Sequence, residues 1–405
     1  MAGMTDVYIV DGCRTPMGKI GGQLAHVRPD DLAAHAVKRL MARHPDLDPM
    51  SVEDVHWGAA NQAGEDNRNV ARMAALLAGL PIEVPGATVN RLCGSGMQAV
   101  VSAAHALAAG WGDVMIAGGS ESMSRAPYVM MKGDRAFATG FPEAADTVLG
   151  WRLVNDRMQE MYPPITLGMT AEVVAEKFGI TREDQDIFAL ESHRKALGAI
   201  EAGRFEDEIE PIEAPADHRH RNIVQITADE GPRADTSLEK LSGLPAVFKE
   251  DGTVTAGNSS PMNDGAAALL LATEKGLERH RLTPMARVVS SAAAGVHPDI
   301  MGIGPVPASE KALARGGVTA NDLDLVELNE AFAAQSVASL RELDLDPEKV
   351  NVNGGAIAIG HPLGASGARI VVTLIHEMQR RRARYGMATM CIGVGQGIST
   401  VIERG

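Results

Sequence analysis

The sequence predicts an α/β protein built from two similar halves. Short strand-like runs alternate with amphipathic helical segments, and a strand–helix–strand unit around Cys93 has a counterpart close to the C-terminus. The 405 residues include 43 glycines but only 3% aromatic residues, a composition that indicates tight turns and close packing of small side chains. A chain of this length can form two or three domains or one duplicated fold.

Six segments of the first half have the residue pattern of strands or helices. They are a strand at 7–10, a helix at about 30–40, extended chain at 52–58, a strand at 87–90, a helix at 97–109 and a strand at 113–117. The small residues Cys93–Gly96 form the turn before the second helix. Strand, helix and strand at this spacing predict a parallel βαβ unit.

The second half repeats this plan. Extended chain over 318–328 parallels the segment at 52–58, Gly364–Gly367 opens a predicted helix at 368–382, and a strand at 387–391 ends in the glycine-rich turn 393–397. Because small residues flank the helix at both ends in both halves, duplication explains the likeness better than chance. The glycine-rich turn opens no helix, which argues against a dinucleotide-binding loop.

The pattern loosens between the halves, over residues 121–248. Two helices are still predicted there, at 170–178 and 181–202, and the second begins with a sequence close to a capping box at Thr181–Asp184. We expect this long segment to be an insertion that covers the functional site. The predicted division is an N-terminal half at 1–274, which includes the insertion, and a C-terminal half at 275–405.

Charge and composition exclude several classes of partner. With 52 acidic and 38 basic residues the net charge is −14, which argues against nucleic acid and against an anionic membrane surface. No apolar run is long enough to predict a membrane span, and no CxxC or HxxxH pair predicts a metal site. The three cysteines are too widely spaced for a disulfide scaffold, and the first residues lack the blocks of a signal peptide. We therefore expect a cytoplasmic protein.

Two cysteines occupy matching positions in the two halves. Cys93 lies where a turn becomes a helix, and the helix dipole and free amides there favour thiolate. Cys391 ends the equivalent strand of the second half. For each the alternative is a small, inert, buried cysteine, and placement alone does not decide between the two.

Two further residues follow glycine-rich or strand segments of the second half. His361 lies among glycines before a helix, where it has little core to fill, and Pro362 fixes the direction of the chain. Asn329 follows a strand, so its side chain is expected in the crevice at the carboxyl ends of the strands. A histidine beside a thiol activates it by removing its proton, and a second thiol then serves as general base.

The motifs that carry these residues resemble the signatures of the thiolase family. They occur in family order and span nearly the whole chain: Val89–Gly96, Gly119–Ser124, Ala256–Ser260, Asn329–Phe332, Gly360–Pro362 and Cys391–Gly393. The resemblance implies two βαβαβαββ halves stacked as a five-layer αβαβα core, with an inserted loop domain. It also implies dimers, or tetramers made of two dimers.

The resemblance carries roles over to individual residues. Cys93 matches the acyl-accepting nucleophile, His361 the residue that activates it, and Cys391 the acid/base that moves the α-proton. Asn329 matches the residue that holds a water in the first oxyanion hole, and the amides of Cys93 and Gly393 match the second. The positions that match contacts to coenzyme A (CoA) are Leu167, Arg233, Phe248, Ala256, Ser260 and Phe332.

Two positions depart from the family pattern. Val394 stands where many members have glycine, and we expect only a local packing change there. Thr166 stands where short-chain biosynthetic members often carry histidine, so we expect Ile165, Leu167 and Met169 to form an apolar pocket wall that favours longer acyl chains.

The resemblance implies an acyl-CoA:acetyl-CoA C-acyltransferase that cleaves 3-ketoacyl-CoA, as in fatty acid β-oxidation, or runs the reverse Claisen condensation. CoA and acetyl-CoA are substrates, and no metal or organic cofactor is expected. One alternative is an acetyl-CoA acetyltransferase that forms acetoacetyl-CoA. Another is a catalytically silent CoA-binding protein. A ketoacyl synthase shares the fold but uses histidines for decarboxylation, so Cys391 argues against it.

Overall fold

A computed structural model of the chain describes residues 5–133, 135–137, 139–219 and 221–405. The strands are β1 (Val7–Arg14), β2 (Gly18–Lys19), β3 (Val55–Gly58), β4 (Gly86–Val89), β5 (Val114–Ser122), β6 (Tyr128–Met130), β7 (Ala144–Asp146), β8 (Ile212–Pro215), β9 (Ile223–Ile226), β10 (Asn263–Thr273), β11 (Ala286–Gly295), β12 (Leu325–Leu328), β13 (Tyr385–Ile392) and β14 (Gln396–Arg404). The helices are α1 (Pro29–Ala42), α2 (Val70–Leu77), α3 (Ser95–Ala108), α4 (Asp156–Met161), α5 (Leu167–Phe178), α6 (Arg182–Glu201), α7 (Leu238–Ser242), α8 (Glu274–His280), α9 (Pro305–Gly316), α10 (Ala333–Glu342), α11 (Ala356–Ile359) and α12 (Leu363–Arg381).

The two halves have the same strand order. The first half runs β4-β3-β5-β10-β1 across its sheet, and the second runs β12-β13-β14-β11. Val350 forms a parallel bridge with Val326 of β12, in the place that β4 takes beside β3. This equivalence confirms the predicted duplication. An antiparallel pairing between β1 and β11 joins the two sheets edge to edge.

Helices α3 and α12 form a layer between the two sheets. They pack against each other, against β5 and β10 of the first half and, for α12, against β12 and β13 of the second. Helices α1 and α2 cover the outer face of the first sheet, and α9 and α10 cover that of the second. The five-layer αβαβα arrangement is therefore confirmed, with an apolar cluster in its middle that contains residues of both halves.

The central helices touch through glycine. A Cβ atom on Gly96 of α3 would lie 2.7 Å from the Gly364 carbonyl oxygen and 2.8 Å from the Ala368 nitrogen of α12. A Cβ on Gly367 would collide with the Met97 backbone in the same way. Gly364–Gly367 opens the predicted helix, but α12 begins at Leu363, five residues before the predicted start at 368. These residues therefore make the first turns of α12, where their small size lets the two backbones meet.

Most of the chain between β5 and β10 lies outside the duplicated core. It contains β6–β9 and α4–α7, and the predicted helices α5 and α6 are confirmed within one to three residues of their expected starts. The capping box of α6 is present, since Thr181 N donates to Asp184 Oδ2 (2.9 Å) and Asp184 N donates to Thr181 Oγ1 (3.1 Å). Across the described ranges, no helix is both long and apolar enough to cross a bilayer.

Candidate active site

Cys93 follows β4 in a turn that side chains hold rigidly. Ser95 Oγ accepts a hydrogen bond from Arg91 N (2.9 Å) and donates to the Leu92 carbonyl (2.6 Å). Leu92 has a φ of +47°, a left-handed conformation that is costly for a leucine and that needs such support. The turn delivers Cys93 to the start of α3, as the sequence predicts.

The three predicted reactive side chains meet in one place. Cys93, His361 and Cys391 line a single small space of about 60 Å³, which we call the catalytic cavity. The rest of its wall is largely apolar: Met123, Leu149, Leu167, Ser260, Pro261, Met262, Met301, Ala331, Phe332 and Leu363. Residues from both halves and from the insertion therefore build the cavity together.

Burial keeps both thiols protonated in the free protein. It raises the pKa of Cys93 to about 11, although the amide N–H groups of Gly393 and of Cys93 itself act in the opposite direction. Burial, and then the neighbouring Cys93, raise the pKa of Cys391 even further. The expectation that the helix terminus makes Cys93 a thiolate is therefore wrong for the free protein, because desolvation outweighs the amide donors.

His361 is oriented through both its backbone and its ring. Its amide donates to Asn263 Oδ1 (2.9 Å), and ring Nδ1 lies 2.6 Å from Ser366 Oγ. Because the Ser366 hydroxyl donates to the Pro362 carbonyl (2.9 Å), it accepts from Nδ1–H, which places the lone pair on Nε2. Burial lowers the pKa of His361 to about 3, so the ring is neutral.

Asn329 follows β12 and faces the same imidazole. Its Nδ2 lies 3.5 Å from His361 Nε2, and its backbone carbonyl accepts from Gln335 Nε2 (2.9 Å). The buried Oδ1 of Asn329 has no hydrogen-bond partner among the described residues. This side chain is therefore held in place with one acceptor atom still available.

Glu121 at the end of β5 binds the two halves together beside the site. Its carboxylate accepts from the amides of Ala60 (2.9 Å), Asn61 (3.1 Å) and Gly364 (2.8 Å). Burial raises its pKa to about 8. Sequence reasoning gave no role to Glu121 or Ser366, although both lie inside motifs that it singled out. The signal that could have indicated Glu121 is a single acidic residue among the small residues that follow a predicted buried strand, since such carboxylates are rarely buried without partners.

Five of the six residues expected to contact CoA fall into two groups. Arg233 and Ala256 line a cleft with Lys19, His193 and Lys240, which we call the cationic cleft and which shares Pro261 with the catalytic cavity. Leu167, Ser260 and Phe332 line the catalytic cavity. Phe248 lines neither; its ring packs edge-on against Phe332 at 6.2 Å and over Gly168.

A second cavity of about 250 Å³, here the outer cavity, adjoins the catalytic one. Cys93, Leu149, Leu167 and Leu363 line both. Ile165 and Met169 line neither, so the predicted pocket wall is wrong for these two residues. Helix α5 begins at Leu167, and its turn directs neighbouring side chains away from one another.

Val394, next to Gly393, lines the outer cavity with a φ of +62°. Glycine adopts this left-handed conformation freely, whereas a β-branched residue does so at a cost. The expectation that valine changes only local packing here is therefore wrong, because the backbone itself is strained.

Comparisons with known proteins agree along the whole chain. Residues 7–275 match the family model described as "Thiolase, N-terminal domain", and residues 282–404 match "Thiolase, C-terminal domain". The beta-ketoadipyl-CoA thiolase of Pseudomonas aeruginosa is 53% identical over 401 residues, covering 98% of this chain and 99% of that protein. The 3-oxoadipyl-CoA/3-oxo-5,6-dehydrosuberyl-CoA thiolase of Escherichia coli K12 is 52% identical over 403 residues, covering 99% and 100%. The crystal structure of the Bacillus anthracis acetyl-CoA acetyltransferase matches with a TM-score of 0.92 and 43% identity over 100% of both chains. The chain therefore belongs to the thiolase family.

Proposed function

We propose that the protein cleaves 3-oxoacyl-CoA with CoA, giving acetyl-CoA and an acyl-CoA shortened by two carbons, and that it also runs the reverse condensation. The observation that carries this proposal is the meeting of Cys93, His361 and Cys391 in one buried cavity. Two thiols and one base are the groups that the two half-reactions need. The largely apolar wall of the cavity limits the access of water, which would otherwise hydrolyse an acyl-cysteine.

The first half-reaction breaks the bond between C2 and C3 of the substrate. His361 Nε2 takes the thiol proton of Cys93 as the sulfur attacks C3. The bond electrons pass to C2, and the Cys391 thiol donates its proton there, so that acetyl-CoA leaves and an acyl-cysteine remains. In the second half-reaction the Cys391 thiolate takes the proton of an incoming CoA thiol, whose sulfur attacks the acyl-cysteine. The bond between the acyl carbon and the Cys93 sulfur then breaks, and the released Cys93 thiolate takes its proton back from His361.

The polar groups around the cavity suit the negative charges that develop. The proton that His361 Nε2 accepts makes it a donor toward a substrate oxygen, and Asn329 Oδ1 is available to hold a water beside it. The amides of Gly393 and Cys93, which already face the sulfur, serve the carbonyl oxygen of the acyl-cysteine. We assign these two oxyanion-binding roles, one to His361 and Asn329 and one to the two amides, on geometry and family resemblance.

The substrate enters, in this proposal, with its nucleotide outside and its thioester inside. Lys19 and Arg233 give the cationic cleft the positive charge that CoA phosphates require, and Ala256 leaves room at its wall. Lys240 also lines the cleft, where it is paired with Asp235 (2.8 Å). Leu167, Ser260 and Phe332 then contact the pantetheine end, with Phe248 supporting Phe332. CoA is a substrate here, and the proposed steps use protein groups alone.

We propose 3-oxoadipyl-CoA, a six-carbon acyl chain with a terminal carboxylate, as the preferred substrate. The names of the Pseudomonas and Escherichia relatives support this choice over fatty acid β-oxidation. The second candidate is acetyl-CoA acetyltransferase activity, which the name of the Bacillus structure supports.

A substrate panel tests this assignment. Acetoacetyl-CoA, 3-oxohexanoyl-CoA, 3-oxooctanoyl-CoA and 3-oxoadipyl-CoA are each incubated with CoA, and cleavage is followed by loss of the enolate absorbance. We expect the highest kcat/KM for 3-oxoadipyl-CoA. A highest value for acetoacetyl-CoA would establish the second candidate instead, and no cleavage of any of them would overturn the thiolase assignment.

We further propose a cytoplasmic homodimer or a tetramer of two such dimers. All three cysteines are free and buried, which suits a reducing compartment. Strand β4 lies at the outer end of the first sheet, and the nearby Leu77 and Ile82 expose 51% and 74% of their surface. A free strand edge beside exposed apolar side chains is a site where a second copy would bind.

A further inference from the structure

The three spaces around Cys93 are arranged in a row. The cationic cleft shares Pro261 with the catalytic cavity, and the catalytic cavity shares Cys93 with the outer cavity. Among the residues that the structure describes, the cationic cleft and the outer cavity have no lining residue in common. A substrate whose nucleotide lies in the cationic cleft and whose C3 lies at Cys93 therefore directs the far end of its acyl chain toward the outer cavity.

Arg152 is the one charged side chain among the described residues that line the outer cavity. The other lining side chains are apolar or neutral, such as Leu92, Trp151 and Val394. Arg152 is half-buried, and no carboxylate of the described ranges forms an ion pair with it. A guanidinium without a counter-charge in a largely apolar cavity is well suited to bind an anionic group that enters it.

The position of Arg152 is fixed by the scaffold of the first half. Its Nη1 donates to the Thr147 carbonyl (3.2 Å), which also accepts from Asn61 Nδ2 (3.2 Å). Thr147 Oγ1 in turn donates to the Pro127 carbonyl (2.6 Å), and Asn61 N donates to Glu121 (3.1 Å). The guanidinium is therefore linked through the Thr147 carbonyl and Asn61 to Glu121, which joins the two halves beside the catalytic cavity, and it keeps further N–H donors for a ligand.

We propose that Arg152 is a specificity-determining residue that binds the terminal carboxylate of a 3-oxo dicarboxylic acyl-CoA. This inference rests on the proposed function and deepens it, because it assigns the group that distinguishes a carboxylate from a methyl end. In a six-carbon substrate the carboxylate carbon is only three bonds from C3. Cys93 and Arg152 line the same cavity, so Cys93 can attack C3 while Arg152 binds the carboxylate at the end of the chain. The planar guanidinium can donate two parallel hydrogen bonds to that carboxylate.

The test compares two substrates with the same number of acyl carbons, 3-oxoadipyl-CoA and 3-oxohexanoyl-CoA. Arg152→Met keeps an apolar stem of similar shape and removes the guanidinium, and Arg152→Lys keeps the positive charge and removes the planar pair of N–H donors. Arg157→Met, an exposed arginine on α4 outside the cavity, is the matched control. We expect Arg152→Met to lower kcat/KM for 3-oxoadipyl-CoA by about 10- to 100-fold. We expect the value for 3-oxohexanoyl-CoA to stay within about threefold of the native one, and Arg152→Lys to fall in between.

The outcomes separate the two proposals. If the native protein does not prefer 3-oxoadipyl-CoA to 3-oxohexanoyl-CoA, the proposed substrate is wrong. If the native protein has this preference and Arg152→Met retains it, the function stands and the role of Arg152 is overturned. An equal loss on both substrates would likewise overturn it, since that is the result expected of a merely structural residue.

Discussion

The Nδ1 atom of His361 lies 2.6 Å from the hydroxyl oxygen of Ser366, within the first turn of α12. The serine is five residues further along the chain, so the helix itself sets the orientation of the imidazole. Since the hydroxyl is already committed to the Pro362 carbonyl, this contact selects the Nδ1–H tautomer and leaves Nε2 as the base.

Ser366→Ala should therefore weaken the base without removing it. We expect kcat for thiolysis to fall by about tenfold, the size of effect of one hydrogen bond to a group that becomes charged. His361→Ala should cost about 10²- to 10⁴-fold, as for loss of a general base. Alkylation of Cys93 by iodoacetamide, followed against pH, should be slowed in both variants and most in His361→Ala. A native rate and pH profile in Ser366→Ala would show that the contact is only structural.

The two thiols should differ in a covalent assay. Cys93→Ala should take up no acetyl group from acetyl-CoA, because the acyl acceptor is gone. Cys391→Ala should still be acetylated at Cys93 but should not complete condensation, because no group removes the α-proton. Mass spectrometry of digested protein distinguishes these results. An acetyl group on Cys391 of the native protein would reverse the assignment.

The buried His361 should make stability fall in mild acid. Its folded pKa of about 3 lies below its unfolded value of about 6.5, so below that pH the unfolded chain binds a proton that the folded one does not. The contribution of His361 to the free energy of unfolding is therefore fully present above about pH 6.5. On acidification below that pH it decreases by up to about 1.4 kcal/mol per pH unit. In urea melts, His361→Asn should lose about 2 kcal/mol less than the native protein between about pH 6.5 and 5. Parallel pH dependences would contradict the burial of a neutral imidazole.

Arg369 and Glu327 form a buried pair whose geometry is poor. Arg369 Nη1 lies 3.7 Å from Glu327 Oε2, and the guanidinium has no hydrogen-bond partner among the described residues. Burial raises the pKa of Glu327 to about 8 and lowers that of Arg369. Arg369→Leu should destabilise the protein by about 3 kcal/mol, because it leaves a lone buried carboxyl group.

The double variant Arg369→Leu/Glu327→Leu should be more stable than Arg369→Leu alone, since two apolar side chains replace an imperfect ion pair. Urea unfolding of the native protein, both single variants and the double variant closes the cycle. Purely additive losses would show that the two side chains do not interact.

Leu167 should affect long acyl chains more than short ones, because it lines both the catalytic and the outer cavity. Each buried methylene is worth about 0.8 kcal/mol, so Leu167→Ala should lower kcat/KM for 3-oxohexanoyl-CoA by about tenfold. Acetoacetyl-CoA has the same pantetheine arm but two acyl carbons fewer, so its kcat/KM should also fall, but only by about threefold. Leu167→Val serves as the control for the start of α5. Equal losses on both substrates would place the acyl chain elsewhere.

Sequence reasoning located the catalytic cavity because its residues follow strands or open helices, where local pattern is informative. Cys93, Asn329 and Cys391 are placed in this way, but their roles and the five-layer architecture follow from the resemblance to the thiolase family, with which the duplication agrees. It could not foresee the protonated state of Cys93, because the pKa of a thiol depends on burial by residues from distant parts of the chain. Sequence reasoning also did not identify Arg152, since a single arginine in an irregular loop has no pattern that distinguishes it from a surface residue.

The contact between α3 and α12 also restricts how homologous chains can be recombined. Gly96 and Gly367 allow the backbones to meet, Cys93 lies just ahead of one helix, and His361 lies just ahead of the other. A small change in the separation of the helices would move the nucleophile away from its base, whichever parent supplied each half. Chimaeras that exchange one half between thiolases should therefore be active only when both parents keep glycine at the crossing. The two halves are similar in structure, but at this contact a substitution in one half is tolerated only if the other half accommodates it.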